Sequence, residues 1–296
     1  MSSVALSGRT VAITGAARGI GFATARTAAN AGAQVVIGDL DTAALAAAAE
    51  QIGRAHPVFL DVTSRESFAA FLDTAAQHSD GNLDVLINNA GIQHVGALVD
   101  ATEADVHRQI EVNVGGTLTG LQLALARMVP RGRGHIINVS SAAGRTTLAH
   151  DGVYSATKAA IIALSEAADA ETSGQGVQVS VILPGLVDTD MAAGAYQPPW
   201  LRMIAPEAVA AAILGVITRP RFQVWAPAST GWLYHAAAVL PRSARDTLMR
   251  MLRIDRTLID VDWVVRADYE DRARAGGGAG LGAAGQEAAT HAERTS

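Results

Sequence analysis

Short apolar runs recur along the chain, separated by stretches with helical periodicity. Thr10-Val-Ala-Ile-Thr14 and residues 34–38, 57–60, 83–87, 135–139, 177–183 and 222–225 read as strands, because aliphatic and β-branched residues follow one another with little polar alternation. Between them the spacing of apolar residues predicts helices over about 19–30, from Asp41-Thr42 onward, over 64–78 with Phe68, Phe71 and Leu72 inward, over 102–128, from 151 and over 206–218. The long helix is expected to soften at Gly115-Gly116 and to stop at Pro130. Strands that are apolar on both faces need cover on both faces. The pattern therefore predicts an α/β fold: a doubly wound parallel sheet of about seven strands in a single domain over residues 1–230.

The pattern changes after residue 230. Trp232, Leu233, Leu248, Met249, Met251, Leu252 and Ile254 are interleaved with Arg242, Arg245, Arg250 and Arg253, which predicts a helical extension over 231–275. Such an extension packs on its own domain or on a subunit; peripheral contact with an anionic membrane through 232–254 is the other reading. From 276 to 296 glycine, alanine and polar residues predict a disordered tail.

Composition narrows the classes. Of the 296 residues 49% are hydrophobic and 17% charged, enough apolar material for a large core. A net charge of -5 argues against a nucleic-acid partner. With no cysteine, disulfides and thiolate metal sites are excluded, and the histidines lack metal-ligand spacing, so no metal is expected. His135 reads as a solvent-facing strand end. No apolar run approaches the ~20 residues needed to cross a bilayer. A first strand at Thr10 leaves no room for a signal peptide, so the expected location is cytoplasmic or membrane-peripheral.

Chemistry gathers where strands end. After the first comes Gly15-Ala-Ala-Arg18-Gly19-Ile20-Gly21, then a helix, then a strand ending at Asp39. Strand, glycine turn, helix and strand make a Rossmann-type βαβ unit: the turn lets backbone approach a pyrophosphate, and the helix N-terminus faces it. Asp39 is placed to accept the ribose hydroxyls of NAD and to repel the 2′-phosphate of NADP. Arg18 pulls the other way, so NAD is expected with NADP possible. Farther on, Tyr154 and Lys158 stand four apart and share one face of a helix. Lys158 is the only lysine in the chain. A phenol titrates near 10, and an ammonium beside it would make it a usable base; a fall of roughly three units corresponds to about 4 kcal/mol.

Thr14-Gly15-x-x-x-Gly19-x-Gly21, Asp61-Val62, Asn88-Asn89-Ala90-Gly91, Asn113, Ser141, Tyr154-x-x-x-Lys158 and Pro184-Gly185 with Thr189 occur in this order. In that set the chain resembles the short-chain dehydrogenase/reductase family, in its common single-domain branch. The resemblance implies Tyr154 as general acid/base, Ser141 orienting the reacting oxygen, and Lys158 binding the nicotinamide ribose and tuning Tyr154. It implies that Asn113 holds a proton-carrying water through its carbonyl. Asn89, Ala90 and Gly91 would line the adenosine side, Asp61 and Val62 would contact adenine, and Val187 and Thr189 would hold the carboxamide. The implied activity is hydride transfer between nicotinamide and a secondary alcohol or ketone. The apolar loop of Met191, Tyr196, Trp200, Leu201 and Met203 suggests a lipophilic substrate, steroid-like or otherwise hydrophobic, and His94 and His150 are further candidate contacts. The implied assembly is a homodimer or homotetramer. Two alternatives are a dinucleotide sensor without catalysis and an epimerase of the extended branch; the intact tetrad disfavours the first, and the glycine spacing disfavours the second.

Overall fold

The computed structural model describes residues 6–78, 82–199, 202–229, 231–232 and 239–275. Seven strands form one sheet: β1 (Thr10–Thr14), β2 (Gln34–Asp39), β3 (Ala55–Phe59), β4 (Val85–Asn88), β5 (Gly134–Val139), β6 (Val177–Pro184) and β7 (Gln223–Ala226). Their order in space is β3-β2-β1-β4-β5-β6-β7, and every pairing is parallel. The chain starts mid-sheet, builds outward to β3, then crosses back beside β1 and builds to the other edge. Between β1 and β4 the winding reverses, and there the strand ends open a crevice where ligands of such sheets bind.

Helices α1 (Gly19–Asn30), α2 (Thr42–Ile52), α3 (Arg65–Gln77), α4 (Glu103–Ile110), α5 (Gly116–Met128), α6 (Gly152–Glu171) and α7 (Pro206–Thr218) cover the sheet. The two-residue period of β1 divides the core. Val11 and Ile13 join the cluster under α1 and α7, with Ala25, Ala28, Val209 and Ile213. Ala12 faces the opposite cluster with Phe68, Phe71, Leu121 and Ala124 from α3 and α5. Pro57 is accommodated in β3 because β3 is an edge strand, paired only with β2.

Two expectations are corrected. The soft break in the long helix is a π-helical turn over Glu111–Gly115, ahead of the Gly115-Gly116 pair. It turns the Asn113 side chain out of the helix, toward Ile92 and Thr157. His135 does not face solvent. It lies 5% exposed in β5, its Nε2 2.8 Å from Ser180 Oγ on β6, and burial followed by the charge of Arg9 lowers its pKa to about 4. β5 is interior to the sheet, so both of its faces are covered.

In the extension, α8 (Arg242–Met251) has no buried residue, whereas α9 (Trp263–Ala275) buries Arg266, Tyr269, Glu270 and Ala273. The faces of α9 are inverted relative to an ordinary amphipathic helix: Trp263, Val264 and Val265 are exposed. Among the described residues no helix is long and apolar enough to cross a membrane. The tail from 276 and the candidate contact Trp200 lie outside the described residues.

Candidate active site

On the β1 side of the crevice the glycine turn is held by hydrogen bonds from the next strand end. Thr14 Oγ1 accepts from the backbone N–H groups of Asn89 and Ala90, and Asn89 Nδ2 donates to the carbonyls of Thr14 and Gly15. Gly21 allows the helix to pack on this turn. A Cβ there would stand 2.2 Å from the Gly15 carbonyl oxygen and 2.7 Å from Asn89 Nδ2. Gly21→Ala should therefore cost more than about 2 kcal/mol in thermal unfolding and displace the turn, which a cofactor titration by fluorescence would detect as lost binding.

Helix α1 begins at Gly19 with no side-chain cap on its free N–H groups. Those donors and the small turn fit a dinucleotide pyrophosphate. Thr189 packs against the turn, its Cγ2 3.2 Å from where a Cβ of Gly19 would stand. The Asp39 carboxylate accepts from the backbone N–H groups of Ala17 and Asp41 at 3.1 Å each, which leaves lone pairs for hydroxyl donors. Arg18 is paired with Asp41. Farther from the turn, the Asp61 carboxylate is engaged by Thr63, and Val62 is buried. Gly185 follows Pro184, the last residue of β6, and its N–H donates to the Ala226 carbonyl on β7.

On the other side, β5 delivers Ser141 and α6 carries Tyr154 and Lys158. The Ser141 hydroxyl accepts from Ala143 N–H at 3.1 Å and lies close enough to the Tyr154 phenol to favour its ionised form. Lys158 Nζ lies 5.4 Å from the tyrosine ring centroid and donates to the Val139 carbonyl at 3.1 Å. Both α6 side chains are buried, at 8% and 3% exposed. Burial pushes Lys158 down to about 8. The phenol is pushed above its ordinary value, first by burial and then by Asp151 and Tyr269, with the Ser141 hydrogen bond working against them.

Asn113 ties the parts together through its side chain: Oδ1 accepts from Ile92 N–H, and Nδ2 donates to the Ile92 carbonyl and to Thr157 Oγ1. Its own carbonyl accepts from Thr117. Gly91 adjoins this pair of elements; its Cβ would stand 3.1 Å from Asn113 Oδ1 and 3.3 Å from Lys158 Nζ.

The candidate substrate contacts are spread more widely. His94 is turned to the extension, with Nδ1 2.8 Å from Glu270 and Nε2 3.8 Å from Asp105. His150, at φ 65°, accepts from Gly96 N–H through its carbonyl just before α6. Met191 gives its carbonyl to Arg266, and Tyr196 its N–H to the Thr257 carbonyl.

Several residues of this region were not picked out from the sequence. Gln93 Nε2 donates to Asp151 at 2.7 Å, and Ser155 Oγ donates to the same carboxylate. Burial raises Asp151 to about 6 against those hydrogen bonds. Gln93 N–H donates to Tyr269 Oη at 2.8 Å, and its carbonyl accepts from Arg266 at 3.0 Å. Their adjacency to Asn88-Asn89-Ala90-Gly91 and to Tyr154 was a usable signal for Gln93 and Asp151. No such signal existed for Arg266 and Tyr269, more than a hundred residues away.

A seven-stranded parallel sheet with a glycine turn after β1, and Ser141, Tyr154 and Lys158 near the end of β5, defines a Rossmann-type α/β scaffold. The chain belongs to the short chain dehydrogenase family, whose sequence pattern matches residues 9–199. Among similar proteins is the probable oxidoreductase EphD of Mycobacterium tuberculosis (strain ATCC 25618 / H37Rv), 35% identical over 263 residues. That match covers 80% of this chain and 44% of EphD, so the chain spans less than half of that relative's length. A sorbitol dehydrogenase of Cereibacter sphaeroides is 41% identical over 189 residues, covering 62% of this chain and 72% of the relative. An uncharacterized oxidoreductase of Staphylococcus aureus (strain USA300) is 34% identical over 218 residues, covering 73% and 94%.

Proposed function

We propose that this oxidoreductase interconverts a secondary alcohol and a ketone with NAD preferred over NADP, Tyr154 moving the proton. The observation that carries the reading is the buried Lys158, its Nζ 5.4 Å from the ring centroid of the buried Tyr154 on the same helix, with Ser141 at the end of β5. A bound nicotinamide would supply or accept the hydride at the substrate carbon. Ser141 orients the reacting oxygen, and Tyr154 gives its proton to that oxygen during reduction or takes it during oxidation. A phenol held above its ordinary pKa is protonated at neutral pH, which suits the donor role. In the oxidising direction the phenolate needs charge stabilisation, and Lys158 is the cation near enough to provide it. Asn113 and Thr157 keep α6 registered against the β4 end. The proposed holders of the cofactor are the 15–21 turn, Asp39, Asp61, Val62, Asn89, Ala90, Gly91, Tyr154 and Lys158, with Pro184, Gly185, Val187 and Thr189 at and beyond the end of β6.

NAD is favoured because Asp39 presents a carboxylate where a 2′-phosphate would sit, while Arg18 is already neutralised by Asp41. Asp39→Ala should raise kcat/KM with NADP relative to NAD by about tenfold or more. A wild-type enzyme that already prefers NADP would overturn the cofactor preference. The lipophilic substrate inferred from the 191–203 loop has weaker support, because Ala195 packs with Val95, Leu258 and Val261 of the same chain. A cytoplasmic homodimer or homotetramer is the proposed working form, and peripheral membrane contact through 232–254 is the alternative for the exposed Trp232, Leu248 and Met251. The test of the reaction is the appearance of reduced nicotinamide when the protein meets NAD and a panel of polyols, hydroxysteroids, retinoids and medium-chain alcohols. No reduction with either dinucleotide across the panel would sink the proposal.

A further inference from the structure

We propose that Tyr269 sets the specificity of this site, donating a hydrogen bond to an oxygen on the substrate carbon next to the reacting one. Preferred substrates are then vicinally oxygenated: diols, polyols or hydroxyketones. The inference rests on the alcohol–ketone reading above.

Tyr269 lies on α9, outside the residues that match the family, yet Gln93 joins it to Asp151, three residues before Tyr154 at the start of α6. It is 9% exposed and is one of the groups that push the Tyr154 phenol upward. Its hydroxyl accepts from Gln93 N–H at 2.8 Å. A phenol also carries one proton to donate, and among the described residues no acceptor takes it. A buried hydroxyl with an unspent donor beside the acid/base residue is a place for a ligand acceptor.

The position is rigid. The Arg266 guanidinium lies 4.9 Å from the Tyr269 ring centroid. Arg266 is 0% exposed and donates to Glu270 Oε1 at 2.6 Å and to the carbonyls of Met191, Ala193 and Gln93. The turn after Met191 is drawn onto the start of α9 through Gly194. At φ 72° it takes the left-handed region, and a Cβ there would stand 2.3 Å from the Asp262 carbonyl oxygen. The loop after β4, the 190–196 segment and α9 are therefore joined in one buried knot. The groups that link it to the start of α6 are polar: Tyr269 to Gln93, and Gln93 to Asp151. The apolar side of the loop instead packs on Leu258 and Val261. A wall of hydrogen-bonding groups recognises a second substrate oxygen far better than a hydrocarbon.

The competing account makes Tyr269 a core residue whose hydroxyl only satisfies Gln93. Wild type and Tyr269→Phe separate the two, assayed as full chains with saturating NAD on paired substrates. Each pair is a diol with adjacent hydroxyls and the mono-alcohol of equal chain length, such as butanediol and sec-butanol. The kcat/KM ratio of diol to mono-alcohol should fall about five- to tenfold in the variant, chiefly through the KM of the diol. A lowered melting midpoint with an unchanged ratio would assign Tyr269 a structural role and overturn the inference. If wild type oxidises both members and the ratio does not move, this inference fails alone. If wild type oxidises no alcohol at all, the alcohol–ketone reading fails and takes this one with it.

Discussion

Tyr154→Phe should lower turnover about a thousandfold while leaving dinucleotide affinity within a small factor of wild type. Phenylalanine keeps the ring and its packing at 8% exposure, so the substitution removes one oxygen and one proton. Without them the substrate oxygen has no partner for proton transfer except solvent, which a buried site admits poorly. Ser141 cannot replace the phenol, because a hydroxyl of far higher pKa with no base beside it is a weak acid and a weaker base. In the proposed arrangement dinucleotide affinity rests mainly on the glycine turn, Asp39 and Lys158, none of which the change removes. Steady-state oxidation of the best panel alcohol, with NAD titrated by fluorescence in parallel, checks both halves. Turnover preserved in the variant would remove Tyr154 from the mechanism.

Arg266→Ala should be the most destabilising single change in the extension, costing about 3–5 kcal/mol. The guanidinium is fully buried, and its removal strands three carbonyls and the Glu270 carboxylate. Burial by itself would raise Glu270, but hydrogen bonds from His94 and Arg266 hold it below the usual carboxylate value. With Arg266 gone, His94 and Arg274, the latter at 3.9 Å, are the cations left for that charge among the described residues. Lysine should not restore the lost stability, since one ammonium cannot span acceptors arranged for a planar fork. Arg266→Met combined with Glu270→Gln should cost less than Arg266→Ala alone, because the stranded charge is gone. Chemical denaturation gives the totals, and hydrogen exchange locates the effect: protection of α9 and of the 190–196 segment should fall first. A loss below about 1 kcal/mol would show that the knot contributes little.

Much of the scaffold was legible in the chain itself. The central strands were visible because strands covered on both faces are apolar throughout, and α7 was placed at 206–218 by the apolar residues that follow Pro206 and Glu207. Boundaries erred where local chemistry was ambiguous. β3 starts at Ala55, before Pro57, because an edge strand tolerates a residue that donates no ladder hydrogen bond. His135 was misplaced because a polar residue at a strand end is usually exposed, whereas here Ser180 on the neighbouring strand supplies its partner. The π-helical turn at Glu111–Gly115 has no periodic signature, since one widened turn leaves the apolar spacing on either side intact.

The sequence by itself determined the glycine turn, the strand-end residues and the Tyr154–Lys158 spacing, since each is written within a single turn or one helical face. Local geometry dictates them, whatever the rest of the chain does. Only the tertiary structure decided that Arg266, Tyr269 and Glu270 are buried against the loop after β4. On a helical wheel they form a polar stripe, which reads as the solvent face, with Val264 and Val265 marked for burial. The stripe is inside because Gln93, Met191, Ala193 and His94 supply partners from two distant segments. A buried charge is tolerable only where such partners converge, and their convergence is a property of the fold.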